Sequence, residues 1–329
     1  MKTKGCAMLI GFFFLLSGLF LGMPFPGEVH GAGYPDRAIT LVAPFAPGGI
    51  TDLSARALAQ HLEKQLKQPV VVLNKVGGNT TIGGYAVTSA KPDGYTLGFF
   101  PDITSIPELF SYFFDAPYSS NDLKPICRAY SPVLAYFVNA DAPWNSMKEV
   151  IDFAQKNPGM KLGHPGKMTP GFAAMRLLNK TEKTGFIDVP FDSDAKVLPA
   201  VLGGHIPMGA VGYTIIKSLY EAKKVKVLAF ITIPKRAPFA PEIPTLNELG
   251  YKIPVYTYHG VFGPKGIPDE VVKKIDEAVS KVIEDPDFQT LVKGMGTYAI
   301  YENTATFEKS LMEFKETYRA YLKDEGMVK

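Results

Sequence analysis

The feature that most constrains this chain is residues 39–66, ITLVAPFAPGGITDLSARALAQHLEKQL. The short apolar run ITLVA stops at Pro-Phe-Ala-Pro-Gly-Gly, and Leu58, Leu62 and Leu66 then recur at helical spacing, the pattern of strand, glycine-bearing turn and helix. The first N–H groups of such a helix have no partner within it and sit at the positive end of its dipole, so the turn suits an anion. The same residues allow a second reading, in which Gly48 and Gly49 make only a tight turn and Thr51 or Asp52 caps the helix.

The pattern recurs twice. The β-branched run PVVVL at 69–73 reads as a buried parallel strand and leads into NKVGGNTTIGG at 74–84; YTLGFF at 95–100 leads into Pro101-Asp102-Ile103-Thr104. Turns that follow the strands of an open parallel sheet emerge at one edge, where doubly wound folds bind their ligands. Three turns of unusual composition at one edge predict a binding site.

The stretches YPDRAITLVAPFAPGGITDLSARALAQHL, QPVVVLNKVGGNTTIGG and AKPDGYTLGF, in this order and spacing, closely resemble the solute-binding receptors of tripartite tricarboxylate transporters, the Bug-type periplasmic receptors. NPGMKLGHPGKMTPG, DVPFDSDAKVLPAVLGGHIPMG, KRAPFAPEIPTLNELGY and GVFGPKGIPDEVVKKI continue the resemblance over nearly the whole chain after Tyr34. It implies an α/β, type II periplasmic-binding-protein fold, with two α/β domains joined by two crossings and a ligand cleft between them. It also implies a small organic acid as ligand and integral-membrane transporter subunits as partners. By the same resemblance, the turn holding Phe45, Ala46, Gly48, Gly49 and Asp52 and the turn holding Gly78, Asn79, Thr80 and Thr81 grip one carboxylate, largely through backbone groups and bridging water. Thr169 falls where the family has a Ser or Thr facing the ligand; as a helix cap it would serve a second purpose.

Other positions depart from the family. His164 replaces a small hydroxyl residue, and with no second ligand at metal spacing it is expected on the pocket wall as a donor to solute. Asp192, after Phe191, stands where small or basic residues are usual, and Asp102, after Pro101, adds an acid from the first domain. If both acids face the cleft, a monocarboxylate bearing a hydrogen-bond donor is preferred to a tricarboxylate.

At the N-terminus, Lys2 and Lys4 precede an apolar run over residues 7–20, and small residues surround Gly33. This is the order of a secretory signal, which predicts a periplasmic protein. The expected division is signal 1–33, first domain 34–135, second domain 136–254 and a return to the first domain over 255–329. Cys6 would leave with the signal, so Cys127 could form no intramolecular disulfide. A net charge of +3 without a long basic run argues against nucleic acid. There is no G-x-G-x-x-G, no nucleophile elbow and no metal-spaced histidine pair, so no cofactor, metal or enzymatic activity is expected. A monomeric receptor feeding a transporter is the leading expectation, and a receptor reporting to a membrane sensor would need the same cleft.

Overall fold

The computed structural model describes residues 33–329 apart from 168, 234, 253–256, 325, 328 and 329. The expected signal, save Gly33, and the expected boundary at 254 lie outside the described residues. Ile39–Ala43 (β1) is buried on both faces and has parallel neighbours on either side, Val70–Asn74 (β2) and Thr96–Phe100 (β3). Their C-terminal ends therefore share one edge, as the sequence predicts. Helices Ile50–Leu66 (α1) and Thr81–Thr88 (α2) make the return crossovers, and α1 buries Leu58, Leu62 and Leu66. It ends at Lys67, whose left-handed backbone (φ 56°) lets its N–H reach the carbonyl of Glu63.

After β3 comes a single helical turn, Asp102–Ser105 (α3), and then the long strand Leu123–Ser131 (β4). Beyond Pro132 the chain enters a second sheet. Its elements are Leu134–Asn139 (β5), Met147–Lys156 (α4), Lys161–His164 (β6), Pro170–Glu182 (α5), Ile187–Pro190 (β7), Asp194–Leu202 (α6), Met208–Gly212 (β8), Tyr213–Glu221 (α7) and Val225–Phe230 (β9). Ser146 caps α4 by accepting the Glu149 N–H at 3.2 Å, as the sequence indicates. The chain then returns with His259–Pro264 (β10), Asp269–Glu284 (α8), Pro286–Gly294 (α9), Tyr298–Glu302 (β11) and Thr304–Asp324 (α10).

The two sheets run β11-β4-β10-β3-β1-β2 and β7-β6-β8-β5-β9. Each contains one strand delivered by a crossing and laid antiparallel to its neighbours: β5 between β8 and β9, and β10 between β3 and β4. The result is two α/β lobes, the architecture the family resemblance implies. Strands β6, β7 and β8 are parallel, so the second lobe also gathers its turns at one edge. One apolar core runs through both lobes, from Val42 and Phe100 to Leu162 and Met208. At one flank α10 reaches the second lobe: the Tyr321 hydroxyl donates to the Ala173 carbonyl at 3.4 Å, and Lys180 pairs with Asp324 at 2.9 Å.

Gly171, in the first turn of α5, lets that helix settle on β8. A Cβ there would stand 2.5 Å from the Cβ of Ala210, while the Gly171 carbonyl accepts from the Tyr136 hydroxyl at 3.0 Å. Gly171→Ala should lower stability by about 1–3 kcal/mol, read from the urea midpoint, because helix and sheet must separate.

Candidate functional site

The first turn is laced to its own lobe by Asp52, whose carboxylate accepts from the Gly48 N–H at 2.9 Å and from the Asn74 amide at 2.9 Å. Arg56 lies 2.8 Å from its other side. Burial pushes the Asp52 carboxyl up, but Arg56, Gly48 and Asn74 together outweigh it and hold the carboxyl below its ordinary value. Asn74 also donates to the Phe45 carbonyl at 2.9 Å, tying β2 to the turn. Asp52 therefore shapes the turn, and Gly48 takes the positive φ of 82° that the turn requires.

In the second turn, four successive residues have positive φ: Gly77 at 127°, Gly78 at 57°, Asn79 at 49° and Thr80 at 79°. Asn tolerates this region, but for β-branched Thr80 it is strained. The Thr80 hydroxyl is buried with no hydrogen-bond partner among the described residues, while Thr81 donates to the Gly78 carbonyl at 2.8 Å.

Two adjoining cavities lie between the lobes. The outer one, about 230 Å³, is bounded by Gly78, Asn79 and Thr80 on one side and by Lys167, Phe191 and Asp192 on the other. The deep one, about 40 Å³, is bounded by Pro101, Asp102, Asp194, Thr257 and His259. Phe45 and Thr169 line both. Of the remaining expected residues, Ala46, Gly48, Gly49, Asp52, Thr81 and His164 line neither. Thr169 stands at the N-cap of α5, yet its hydroxyl donates to the Gly166 carbonyl at 2.9 Å instead of capping. The His164 ring is fully buried behind its loop, with Nδ1 2.8 Å from the Gly166 carbonyl oxygen, and burial lowers its pKa to about 4. Asp192 is exposed just ahead of α6 and paired with Lys196 of that helix, which leaves it at the rim.

The sequence reading passed over Asp194. Its carboxylate crosses between lobes: Oδ2 accepts from the Ile50 N–H of α1 at 3.3 Å, and Oδ1 accepts from the Gly212 N–H at the start of α7 at 3.0 Å. Asp194 also opens α6, so the N-terminal ends of three helices meet at one buried acid. The anion expected at the start of α1 is thus a side chain of the chain itself. The lobes meet closely at Gly48 and Gly49, where a Cβ would lie at contact distance, 3.5 Å from Ala195 and 3.4 Å from Ser193, leaving no room for a longer side chain. In the sequence, Ser193-Asp194 ahead of an apolar helix reads only as a helix start.

The deep cavity is electrostatically one-sided. Asp102 is 3% exposed; burial lifts its pKa to about 7 against the Ile103 N–H, and its Oδ2 has no hydrogen-bond partner among the described residues. Burial also raises the Asp194 carboxyl, opposed by the Gly212 and Ile50 N–H groups. His259 Nε2 is 3.1 Å from the Thr51 hydroxyl, its Nδ1 is unpartnered, and burial lowers its pKa to about 3, so the ring is neutral. None of the described residues lining this cavity is Lys or Arg. Among the described residues no group of three His, Cys, Asp or Glu is placed to hold a metal ion.

Two α/β lobes with parallel-strand turns facing across a cleft define a periplasmic solute-binding receptor. Residues 54–326 match the model of the tripartite tricarboxylate transporter family receptor, TctC, and the chain belongs to that family. It is 28% identical over 312 residues to the UPF0065 protein in the gbd 5' region of Cupriavidus necator, covering 92% of each. It is 25% identical over 281 residues to the protein BugT of Bordetella pertussis, covering 84% of this chain and 83% of that one. The solved periplasmic binding protein BugD superposes with a TM-score of 0.80 at 29% identity, over 89% of this chain and 99% of that chain.

Asp194→Ala leaves the Ile50 and Gly212 N–H groups unpaired and should cost about 1.5–3 kcal/mol in urea unfolding. Asp102 has a folded pKa near 7, above an ordinary value of 3.8, so its contribution to stability is present below about pH 4 and lost as pH rises through 7. The stability of Asp102→Asn relative to the parent should therefore be greater at about pH 8 than at about pH 5, as compared by melting temperature.

Proposed function

We propose that this chain is a periplasmic receptor that closes on a small organic acid between its lobes and delivers it, without chemical turnover, to the membrane subunits of a tripartite transporter. The observation that carries this reading is the outer cavity, walled on one side by the left-handed run Gly77 to Thr80. Successive backbone N–H groups in such turns form concavities that hold anions. Backbone strain of about 1–3 kcal/mol at a residue such as Thr80 is characteristic of ligand sites, where it is retained because the conformation is needed. Since Asp194 already accepts the Ile50 N–H, the solute carboxylate falls to this second turn. Family membership supports the transporter as recipient, and the order of residues 1–33 supports export. The two crossings between sheets support domains divided near residues 135 and 254, and closure is a population shift driven by contacts made only when both lobes touch solute.

The test is a thermal-shift screen of the chain from Tyr34 onward, stripped of copurified ligand, against mono-, di- and tricarboxylates. Small carboxylates should raise the melting temperature; no shift with any acid would remove the reading. Gly49→Val, which would press against Ser193 and hold the lobes apart, should weaken every ligand by about tenfold or more in calorimetry. Unchanged affinities would show that closure does not need this approach.

A further inference from the structure

The deep cavity offers no described cationic side chain to a second carboxylate. At about 40 Å³ it has room for a head group rather than a whole solute, and it continues into the outer cavity past Phe45 and Thr169. Two acids face it, Asp102 from the first lobe and Asp194 from the second, and no described lining residue is Lys or Arg. Acids alone do not make a site. Here Asp102 Oδ2 and His259 Nδ1 are each on a side chain more than nine-tenths buried and have no partner among the described residues. Buried polar atoms left in this state are costly, and a ligand supplying the missing partners recovers that cost.

We propose that the deep end of the cleft is a cation subsite formed by Asp102 and Asp194, so that the solute carries an ammonium group there and its carboxylate in the outer cavity. The inference rests on the cleft being the solute site. An ammonium offers three donors. One pairs with Asp102 Oδ2, and a second meets His259 Nδ1 when Nε2 carries the ring proton toward Thr51. Asp194, already hydrogen-bonded to Ile50 and Gly212, adds charge. The outer cavity adds the complementary element, Lys167 and the left-handed turn.

The opposing arrangement, a protonated Asp102 donating to a solute carboxylate, has the reverse pH dependence. Asp102 and Asp194 are the two carboxyls that burial raises at this end of the cleft. The Tyr258 and Tyr318 hydroxyls that couple to Asp102 are pushed well up by burial, and His259 is held neutral. Asp194 is buried beside two N–H donors.

The experiment is calorimetry on ligand-stripped protein with matched probes: glycine, β-alanine and 4-aminobutyrate against acetate, propionate and butyrate, with succinate as the dicarboxylate. At least one amine-bearing acid should bind about tenfold or more tighter than its amine-free partner and than succinate, and should tighten between about pH 5.5 and about pH 8. Asp102→Asn should abolish that preference. An amine-free acid or succinate binding as tightly as the amines, or an affinity that weakens as pH rises, overturns the subsite. So does an unchanged preference in the variant, and in each case the receptor reading stands. The pH series on the parent protein decides the matter even if Asp102→Asn fails to fold. If these probes and the wider set of carboxylates all fail to bind, the reading of the cleft falls and the subsite with it.

Discussion

One buried carboxylate, Asp194, holds this structure in the form described. Three helix N-termini converge on it, from α1 in one lobe and from α6 and α7 in the other, and like partial charges would otherwise oppose their approach. Taking the charge out of water is costly, and of the two backbone N–H groups that offset that cost, the one from Ile50 does so only while the lobes stay together. The contact is therefore both structural and conditional, since opening the cleft returns the acid to solvent and leaves Ile50 N–H to water. The glycines opposite, Gly48 and Gly49, belong to the same arrangement, because side chains longer than a methyl group there would crowd Ala195 and Ser193.

Around that contact the lobes contribute unlike walls. The first lobe supplies backbone in an unusual conformation, the left-handed run ending at strained Thr80, and one acid, Asp102. The second supplies Thr169, Lys167 and Phe191 on short loops. Asp52, Asn74 and Arg56 fix the first turn from behind through bonds within their own lobe, so that its shape does not depend on solute.

Much of this was legible in the sequence. The alternation of apolar runs with glycine-bearing turns fixed β1, β2 and β3 and placed their turns at one edge, because local pattern and parallel pairing agree there. Helices such as α4 and α8 announced themselves through caps and acidic first turns. The strands β4 and β11 were not expected. β4 carries Pro125 and charged residues, β11 is an edge strand that is nowhere fully buried, and both owe their pairing to distant chain. At the site, the sequence pointed to loops that the structure brings together but not to the direction each side chain takes. Asp52 and His164 turn inward to hydrogen bonds that composition does not reveal. Asp194 carried no sign of its role, because its partner in the first lobe is 144 residues away. Separation in sequence of that size carries no local signal.

The contact of α10 with the second lobe bears on how the cleft can move. Tyr321 against Ala173 and Lys180 against Asp324 add a third attachment on one flank, carried by a helix that packs on the first sheet. With that attachment retained, twisting shears the flank while bending leaves it in place. Bending that parts the opposite flank, as a book opens away from its spine, is the motion these contacts leave free.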